Sequence, residues 1–309
     1  MKVLVSGATG LIGSALVESV AQSGHQVTAL VRSPALAGSG AVVWNPAAGT
    51  LDSAHVEGFD AVVHLAGESV ARGRWTTRKK SRIRESRVQG TGLLSRTLAR
   101  LDQPPTVLAC ASAIGYYGDR GEEPLDEESP PGEGFLAQVC RDWEAATQPA
   151  AEAGIRVVKL RMGVVLAAGG GALARMLPLF RRGLGGRLGS GTQYMSWITL
   201  RDVVGAAQHV LSNDTLHGAV NLVSPRAVTN REFTRSLGRV LHRPTYFAVP
   251  GGVLRILLGQ MAEELLLNST RVIPRRLTDS GYTFDDPELE PALRRILPRS
   301  CPRPPAVWG

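Results

Sequence analysis

A glycine-rich turn near the start of the chain, set between an apolar run and an amphipathic segment, constrains the fold more than any other feature. It carries Gly7, Gly10 and Gly13, follows the apolar run Lys2–Ser6 and leads into Leu11–Ser23, where apolar residues recur every four positions. At this spacing the first glycine permits a tight turn, the second lets the backbone approach a pyrophosphate, and the third allows close helix–strand packing. Free N–H groups at the start of the helix then face phosphate charge. The pattern therefore predicts a dinucleotide-binding βαβ unit.

The rest of the first half repeats this alternation of strand and helix. Its predicted strands are apolar on consecutive positions, as expected when helices cover both faces of a parallel sheet. These runs are Gln26–Val31, Ala41–Trp44, Asp60–Leu65, Thr106–Ala111 and Arg156–Leu160. The sequence therefore predicts an α/β protein with a doubly wound parallel sheet of the Rossmann type.

The pattern loosens after about residue 165, where glycine-rich loops and helical segments replace the regular alternation. We expect a nucleotide-binding domain formed by residues 1–165 and about 192–224. A smaller, mostly helical substrate domain is expected from about 166–191 and 225–297. The proline-rich residues 298–309 are expected to form a flexible tail.

Composition excludes several classes of protein. With 309 residues, 43% hydrophobic, the chain is long enough for a packed α/β fold. No stretch reaches the roughly 20 apolar residues needed to span a bilayer. The apolar stretch Val253–Leu267 is interrupted by Glu263 and Glu264, so we predict a buried or interface helix there. The three cysteines are far apart, which favours a reducing, cytoplasmic location over a disulfide scaffold.

The net charge of +8 is concentrated in the run Arg72–Arg87, which carries eight basic residues. Two interpretations remain open: a solvated helix face, or a patch that contacts the anionic part of a phosphate-bearing ligand. No nucleic-acid-binding motif accompanies the run, so nucleic acid is not the expected partner.

The residue after the second predicted strand bears on the choice of dinucleotide. An NAD-binding protein usually carries an acidic residue about 20 positions after the glycine turn, where it binds the ribose 2′-hydroxyl. Here Arg32 lies nineteen positions after Gly13 and is followed by Ser33. A guanidinium suits a 2′-phosphate, so NADP(H) is the predicted cofactor. The predicted contacts are Gly7, Thr9, Gly10, Leu11, Ile12, Gly13, Arg32 and Ser33.

Several further motifs carry a family resemblance that extends to about residue 297. They are Asp60–Gly67, Arg74-Trp75, Ser86-Arg87, Gly90-Thr91, Ser112–Gly118, Cys140 with Trp143-Glu144, Gly189–Gly191 and Trp197-Ile198. With the glycine turn, this set resembles the extended short-chain dehydrogenase/reductases, and most closely the atypical "epimerase family" branch with a C-terminal domain of unknown function. The resemblance implies NAD(P) binding, an unassigned substrate, and further cofactor contacts at Leu65, Ala66 and Gly67.

The chain departs from that family at the catalytic helix. Catalytic members carry a Tyr-x-x-x-Lys pair, in which the Tyr exchanges a proton and the Lys lowers its pKa and holds the ribose. One register of this sequence places Phe135 and Val139 there, and a shift by one residue places Leu136 and Cys140. Neither register supplies a phenol or an amine.

If chemistry survives, another residue must exchange the proton. Tyr116 and Tyr117 follow the fifth strand and Glu68 the fourth, all at the carboxyl edge where such sheets bind ligands, and each is a candidate. Ser112 is a fourth candidate, although counting back from Tyr117 places Ala113 at the family's serine position. The alternatives are a packing role for Tyr117 and a solvated or Arg-paired carboxylate at Glu68.

Three other reactive residue types are expected to be structural. His64 lies on a core strand and Cys140 on a helix without a neighbouring histidine, so both are read as core residues. Arg161 is expected to pack or to pair with carboxylates. No cluster has metal-ligand spacing.

Two functions follow from these observations. The first is an NADP(H)-dependent, epimerase-like oxidoreductase acting on an unknown small molecule, of which a nucleotide-sugar-like compound is one class. The second is a non-catalytic NADP(H)-binding regulatory or sensor protein. The expected partners are the dinucleotide and a small-molecule substrate, with no membrane; a homodimer is left open.

Overall fold

A computed structural model of the chain describes residues 1–33, 40–71 and 73–297. The tail predicted over 298–309 lies outside the described residues, as does Arg72 at the start of the basic run. The strands are β1 (Lys2–Ser6), β2 (Gln26–Val31), β3 (Val42–Asn45), β4 (Thr50–Leu51), β5 (Ala61–His64), β6 (Val107–Ala113), β7 (Pro124–Leu125), β8 (Arg156–Met162), β9 (Val164–Ala167), β10 (Gly186–Leu188), β11 (Tyr194–Met195), β12 (Trp197–Thr199), β13 (Gly218–Leu222), β14 (Val228–Thr229), β15 (Phe247–Val249) and β16 (Arg271–Val272).

The helices alternate with these strands in the first half and dominate the second. They are α1 (Leu11–Gln22), α2 (Thr77–Leu98), α3 (Phe135–Ala145), α4 (Gln148–Glu152), α5 (Gly171–Arg181), α6 (Leu200–Ser212), α7 (Asn230–Leu241), α8 (Gly251–Leu258), α9 (Gln260–Ala262), α10 (Arg275–Asp279) and α11 (Leu289–Ile296). A 3₁₀ turn over Ile114–Tyr117 follows β6, and a π-helical turn over Glu263–Leu267 follows α9.

The central sheet has eight strands in the order β13-β8-β6-β5-β1-β2-β3-β4. All neighbouring pairs are parallel except β3 with β4, which closes one edge in the antiparallel direction. The order reverses on either side of β1, which is the doubly wound arrangement. The six strand segments predicted in the first half are confirmed, with boundaries that differ by at most two residues. The Rossmann fold class is therefore correct.

Two apolar layers cover the sheet because successive strand residues point to opposite faces. Val3 and Val5 of β1 belong to the cluster that packs against α1 and α6, whereas Leu4 belongs to the cluster that packs against α2 and α4. All three are completely buried. Burial on both faces explains why the sequence of this strand is continuously apolar rather than alternating.

A third apolar cluster lies in the C-terminal part of the chain. Trp197, completely buried, packs there with residues of α5, α7 and α11. Helix α5 precedes β13 in the chain, whereas α7 and α11 follow it. Trp197 lies in the segment 192–224 assigned to the nucleotide-binding domain, yet it packs in this cluster. The division into 1–165 with 192–224 and 166–191 with 225–297 stays a prediction.

The single helix predicted over Val253–Leu267 is wrong. The chain forms α8, a break, the short α9 and the π-helical turn. The break lies at Gly259, whose φ of +61° is a conformation that L side chains rarely adopt and that ends α8. The segment is not fully buried either, because Ile256 and Leu257 are 77% and 60% exposed.

Candidate functional site

The glycine turn is built by backbone contacts that leave no room for side chains. Gly7 has φ +72°, and a Cβ there would lie 2.8 Å from the carbonyl carbon of Leu65. A Cβ on Gly13 would lie 2.1 Å from the carbonyl oxygen of Gly7. Glycine at these positions therefore lets the turn contact both the start of α1 and the loop after β5.

The start of α1 presents backbone donors to the carboxyl edge of the sheet. Gly10 is the N-cap, and it offers no side chain to accept a hydrogen bond. The first turn of the helix holds no acidic residue. Among the described residues, the N–H groups of Leu11, Ile12 and Gly13 find no acceptor. This arrangement fits the pyrophosphate of a dinucleotide, and Thr9 lies exposed on the same turn.

The loop Leu65–Gly67 runs along the same edge. The Ser6 hydroxyl accepts hydrogen bonds from the N–H groups of Leu65 and Ala66, at 3.2 and 3.4 Å, and lies 2.6 Å from His64 Nδ1. Burial lowers the pKa of His64 to about 4, so its ring is neutral near pH 7. The core role predicted for His64 is confirmed: it fixes Ser6, which in turn holds the loop.

Arg32 and Ser33 follow β2 at this edge. Ser6 of β1 pairs with Leu30 of β2 on one side and with His64 of β5 on the other, so the residues after all three strands emerge together. Arg32 is exposed and forms no ion pair with a described residue. Its guanidinium is therefore available to a ligand lying over the glycine turn.

Glu68, the next residue of the loop, is held at three points by helix α2. Its carboxylate forms an ion pair with Lys79 at 2.6 Å, its N–H donates to the Ser86 hydroxyl, and its carbonyl accepts from Arg87. The hydrogen bond from Lys79 lowers the pKa of Glu68. Glu68 is therefore a carboxylate near neutral pH and carries no proton to donate.

Tyr116 and Tyr117 occupy the 3₁₀ turn after β6 but differ in their surroundings. Tyr117 is completely buried; its hydroxyl donates to Asn221 at 2.7 Å and accepts from Arg161 at 3.0 Å. Burial raises the pKa of Tyr117 to about 12, which agrees with a packing role. Tyr116 is half-buried, and the centroid of its ring lies 3.5 Å from the Arg161 guanidinium carbon. Its hydroxyl has no partner among the described residues.

Ser112, at the end of β6, contacts helix α3. Its hydroxyl donates to Glu144 at 2.7 Å, and both Glu144 oxygens accept from Arg161, at 2.8 and 2.9 Å. Burial alone would lower the pKa of Arg161, but its bonds to Glu144 outweigh that effect and raise it. The carboxylate pairing predicted for Arg161 is confirmed. Its partner is Glu144, and the only sequence signal for that residue was its place in the motif Cys140-x-x-Trp143-Glu144.

Helix α3 presents apolar groups at both registers of the Tyr-x-x-x-Lys comparison. The Phe135 ring is half-buried and packs edge-on against Trp75, with centroids 5.2 Å apart. Val139 is buried, and so is Cys140, whose thiol donates to the Ala113 carbonyl. Burial raises the pKa of Cys140 to about 12, so it stays a neutral thiol and the core assignment is confirmed.

A contact that the sequence did not reveal joins α3 to the C-terminal part of the chain. We call residues 260–264 the C-terminal strap. Glu264 accepts hydrogen bonds from the N–H groups of Phe135 and Leu136, at 3.0 and 2.7 Å. Gln260 donates to Glu264 and accepts from Lys80 of α2. The strap therefore caps α3, the helix that was compared with the catalytic helix of the family.

Two kinds of feature are absent from the described ranges 1–33, 40–71 and 73–297. These ranges contain no group of three or more His, Cys, Asp or Glu side chains able to hold a metal ion. Their helices include none with the length and apolar character of a membrane span.

Comparison with known protein families shows the family to which the chain belongs. The model of the NAD dependent epimerase/dehydratase family matches residues 3–222, and that of a domain of unknown function, DUF1731, matches residues 249–296. The chain belongs to the NAD dependent epimerase/dehydratase family. The resemblance predicted from the motifs is therefore confirmed for both parts of the chain.

Relatives of this epimerase-family chain match it over nearly its whole length. Epimerase family protein Mb2239 of Mycobacterium bovis is 45% identical over 291 residues, covering 94% of this chain and 96% of the relative. The crystal structure of human epimerase family protein SDR39U1 with NADPH is 36% identical, with a TM-score of 0.87 over 96% of this chain and 99% of that one. UDP-N-acetylglucosamine 4-epimerase from Bacillus cereus, at 18% identity and a TM-score of 0.72 over 96% and 98%, shares the fold.

The buried ion pair predicts a large stability difference between two neighbouring carboxylates of α3. Glu144→Gln leaves Arg161 buried without its counter-charge, so we expect a loss of about 3–5 kcal/mol in the free energy of unfolding. Asp142→Asn removes a carboxylate whose partner, Arg84, is largely exposed, and should cost about 1 kcal/mol or less. Urea unfolding of both variants measures this, and equal midpoints would contradict it.

Proposed function

We propose that this chain is an NADP(H)-dependent, epimerase-like oxidoreductase acting on a small polar substrate, of which a nucleotide-sugar-like compound is one class. The observation that carries the proposal is the carboxyl edge itself: the first turn of α1, with its free N–H groups, holds no acidic residue, and Arg32 follows β2 where NAD-binding proteins usually carry one. The NADPH in the related human structure supports it.

The residues proposed to hold the dinucleotide have separate tasks. The N–H groups of Leu11, Ile12 and Gly13 would bind the pyrophosphate, and the loop Leu65–Gly67 would contact the riboses. Arg32, with the Ser33 hydroxyl, would bind a 2′-phosphate, which a carboxylate at the same place would repel. When bound, the cofactor supplies or accepts a hydride.

Tyr116 is the proposed proton-exchanging residue. Its hydroxyl lies at the carboxyl end of β6 without a partner in the described part of the chain, while Arg161 lies against its ring. Ser112 and Glu68, the other candidates, have their polar atoms bound to Glu144 and Lys79, and we propose supporting roles for them. A phenol at this edge can give its proton to a substrate oxygen as hydride arrives.

Arg32 tests the choice of cofactor. Arg32→Asp replaces the cation at the predicted 2′-phosphate site with an anion, so the Kd for NADPH should rise at least about tenfold. Arg100→Asp makes the same charge change at an exposed position in the turn after α2 and should leave that Kd within about twofold. Titration by nicotinamide fluorescence measures both, and unchanged affinity in Arg32→Asp would exclude the assignment.

Tyr116 tests the proton transfer. Turnover is first sought by following NADPH oxidation with a panel of small carbonyl compounds and nucleotide sugars. For a substrate found in this way, Tyr116→Phe removes one oxygen atom and should lower kcat by about 10²–10⁴-fold. The Kd for NADPH should not change. A variant that turns over at the wild-type rate would remove Tyr116 from the mechanism.

A second function, a non-catalytic NADP(H) sensor, is favoured by one observation. The C-terminal strap binds directly to the N-terminus of α3, the helix from which a phenol and an amine are missing. In this function the bound cofactor would change how firmly the strap is held, and the C-terminal domain would report its presence to a partner.

Hydrogen exchange separates the two functions. A sensor predicts that NADPH changes amide protection in the strap and in the first turn of α3, with no NADPH consumed in the presence of any substrate in the panel. An enzyme predicts turnover, whatever the exchange pattern.

The cytoplasmic location and the homodimer expected from the sequence stay predictions, and the burial of the free Cys110 and Cys140 agrees with a reducing compartment.

A further inference from the structure

The cations of the basic run Arg72–Arg87 left two interpretations open, and their contacts in the structure bear on both. Most of its cations beyond Arg72 have partners within the molecule. Arg84 binds Asp142 of α3 at 2.7 Å, Lys80 binds Gln260 of the C-terminal strap, and Arg87 binds the carbonyls of Glu68 and Ile83. These residues hold neighbouring elements together, so they do not form an open cationic face.

Two other cations of the run converge on one carboxylate oxygen. Lys79 Nζ lies 2.6 Å and Arg82 Nη2 3.9 Å from Oε1 of Glu68. The Lys79 side chain is only 6% exposed, whereas that of Arg82 is 57% exposed. Lysine is rarely buried unless it is paired, so Glu68 is what keeps Lys79 in this position.

This cluster lies at the same edge as Arg32. Glu68 follows β5 and Arg32 follows β2, with only β1 between them, which separates the strand ends by about 10 Å. Arg32 is close enough for its charge to contribute to the lowered pKa of Glu68. Lys79 and Arg82 thus approach one carboxylate directly, Arg32 acts on it from the neighbouring strand end, and the three cations with Glu68 carry a net charge of +2.

We propose that Lys79 and Arg82 complete, with Arg32, a three-cation site for the 2′-phosphate of NADP(H), and that Glu68 is the counter-ion that holds the two α2 cations in place. This inference rests on the proposed function, because it names the residues that would select one dinucleotide over the other. A phosphate dianion gains from all three cations. The 2′-hydroxyl of NAD(H) carries no charge and gains little.

Removal of the Glu68 charge should change the affinity for NADPH in the opposite direction to that expected if Glu68 bound the dinucleotide directly. Its negative charge opposes a second anion at the same site, and Gln in its place keeps an oxygen that can accept the Lys79 hydrogen bond, so Glu68→Gln should strengthen NADPH binding and leave NADH binding unchanged. A carboxylate that instead accepted a hydrogen bond from a ribose would, when removed, weaken the binding of both dinucleotides.

The experiment compares the Kd values of NADPH and NADH, by nicotinamide fluorescence at low salt, for the full chain and four variants. Arg82→Gln and Lys79→Gln should each raise the Kd for NADPH about five- to tenfold and leave that for NADH within about twofold. Glu68→Gln should lower the Kd for NADPH about three- to tenfold. Arg84→Gln is the matched control: it removes one positive charge from the same helix, at a residue that pairs with Asp142, and should leave both Kd values unchanged. Added salt should reduce the preference of the wild type for NADPH.

The outcomes separate this inference from the proposed function. A wild type that binds neither dinucleotide overturns both. A wild type that prefers NADPH, with the preference unchanged in Arg82→Gln and Lys79→Gln, overturns the inference alone, as does a Glu68→Gln variant that loses affinity for both dinucleotides. Melting temperatures check the fold of each variant. Arg82 is largely exposed, so its variant tests the site even if Lys79→Gln does not fold.

Discussion

The buried ion pair between Arg161 and Glu144 is the interaction on which the candidate site depends. Arg161 extends from β8, Glu144 from α3, and both oxygens of the carboxylate are engaged by the guanidinium. The remaining guanidinium nitrogen donates to Tyr117, while Ser112 donates to Glu144. Two charges taken out of water are tolerated only when their hydrogen-bonding capacity is used in this way. The pair therefore fixes β6, β8 and α3 relative to one another.

That network decides which phenol is available at the carboxyl edge. Tyr117 is drawn into the interior because its hydroxyl bridges Arg161 and Asn221. Tyr116 must then turn its ring onto the face of the same guanidinium and leave its hydroxyl outside the network. A cation against an aromatic face is attracted by the ring quadrupole, so this orientation is stabilised without using the hydroxyl. Adjacent tyrosines thus acquire different roles from one shared arginine.

A second set of charges organises the half of the edge near the glycine turn. Helix α2 binds the backbone and the side chain of Glu68, which follows directly on the loop that contacts Gly7. Since this loop approaches Gly7 at the distance where a Cβ would clash, a shift of α2 would be transmitted to the glycine turn. The cationic helix and the neutral turn therefore form one rigid edge. The C-terminal strap adds a connection from Glu264 to α3 on the far side.

The sequence by itself determined the doubly wound sheet, the glycine turn and the place of Arg32, because these depend on local periodicity and on residues close together in the chain. It also identified the missing Tyr-x-x-x-Lys pair, since that pattern occupies a single helix. Only the tertiary structure decided that Ser112 faces Glu144, that Glu68 pairs with Lys79 and that Glu264 caps α3. These partners are 11 to 129 residues apart in the chain, and which atoms meet depends on how helices and strands pack. The break at Gly259 was missed for a related reason. A continuous apolar stretch predicts one helix, whereas the positive φ of Gly259, seen only in the structure, ends α8.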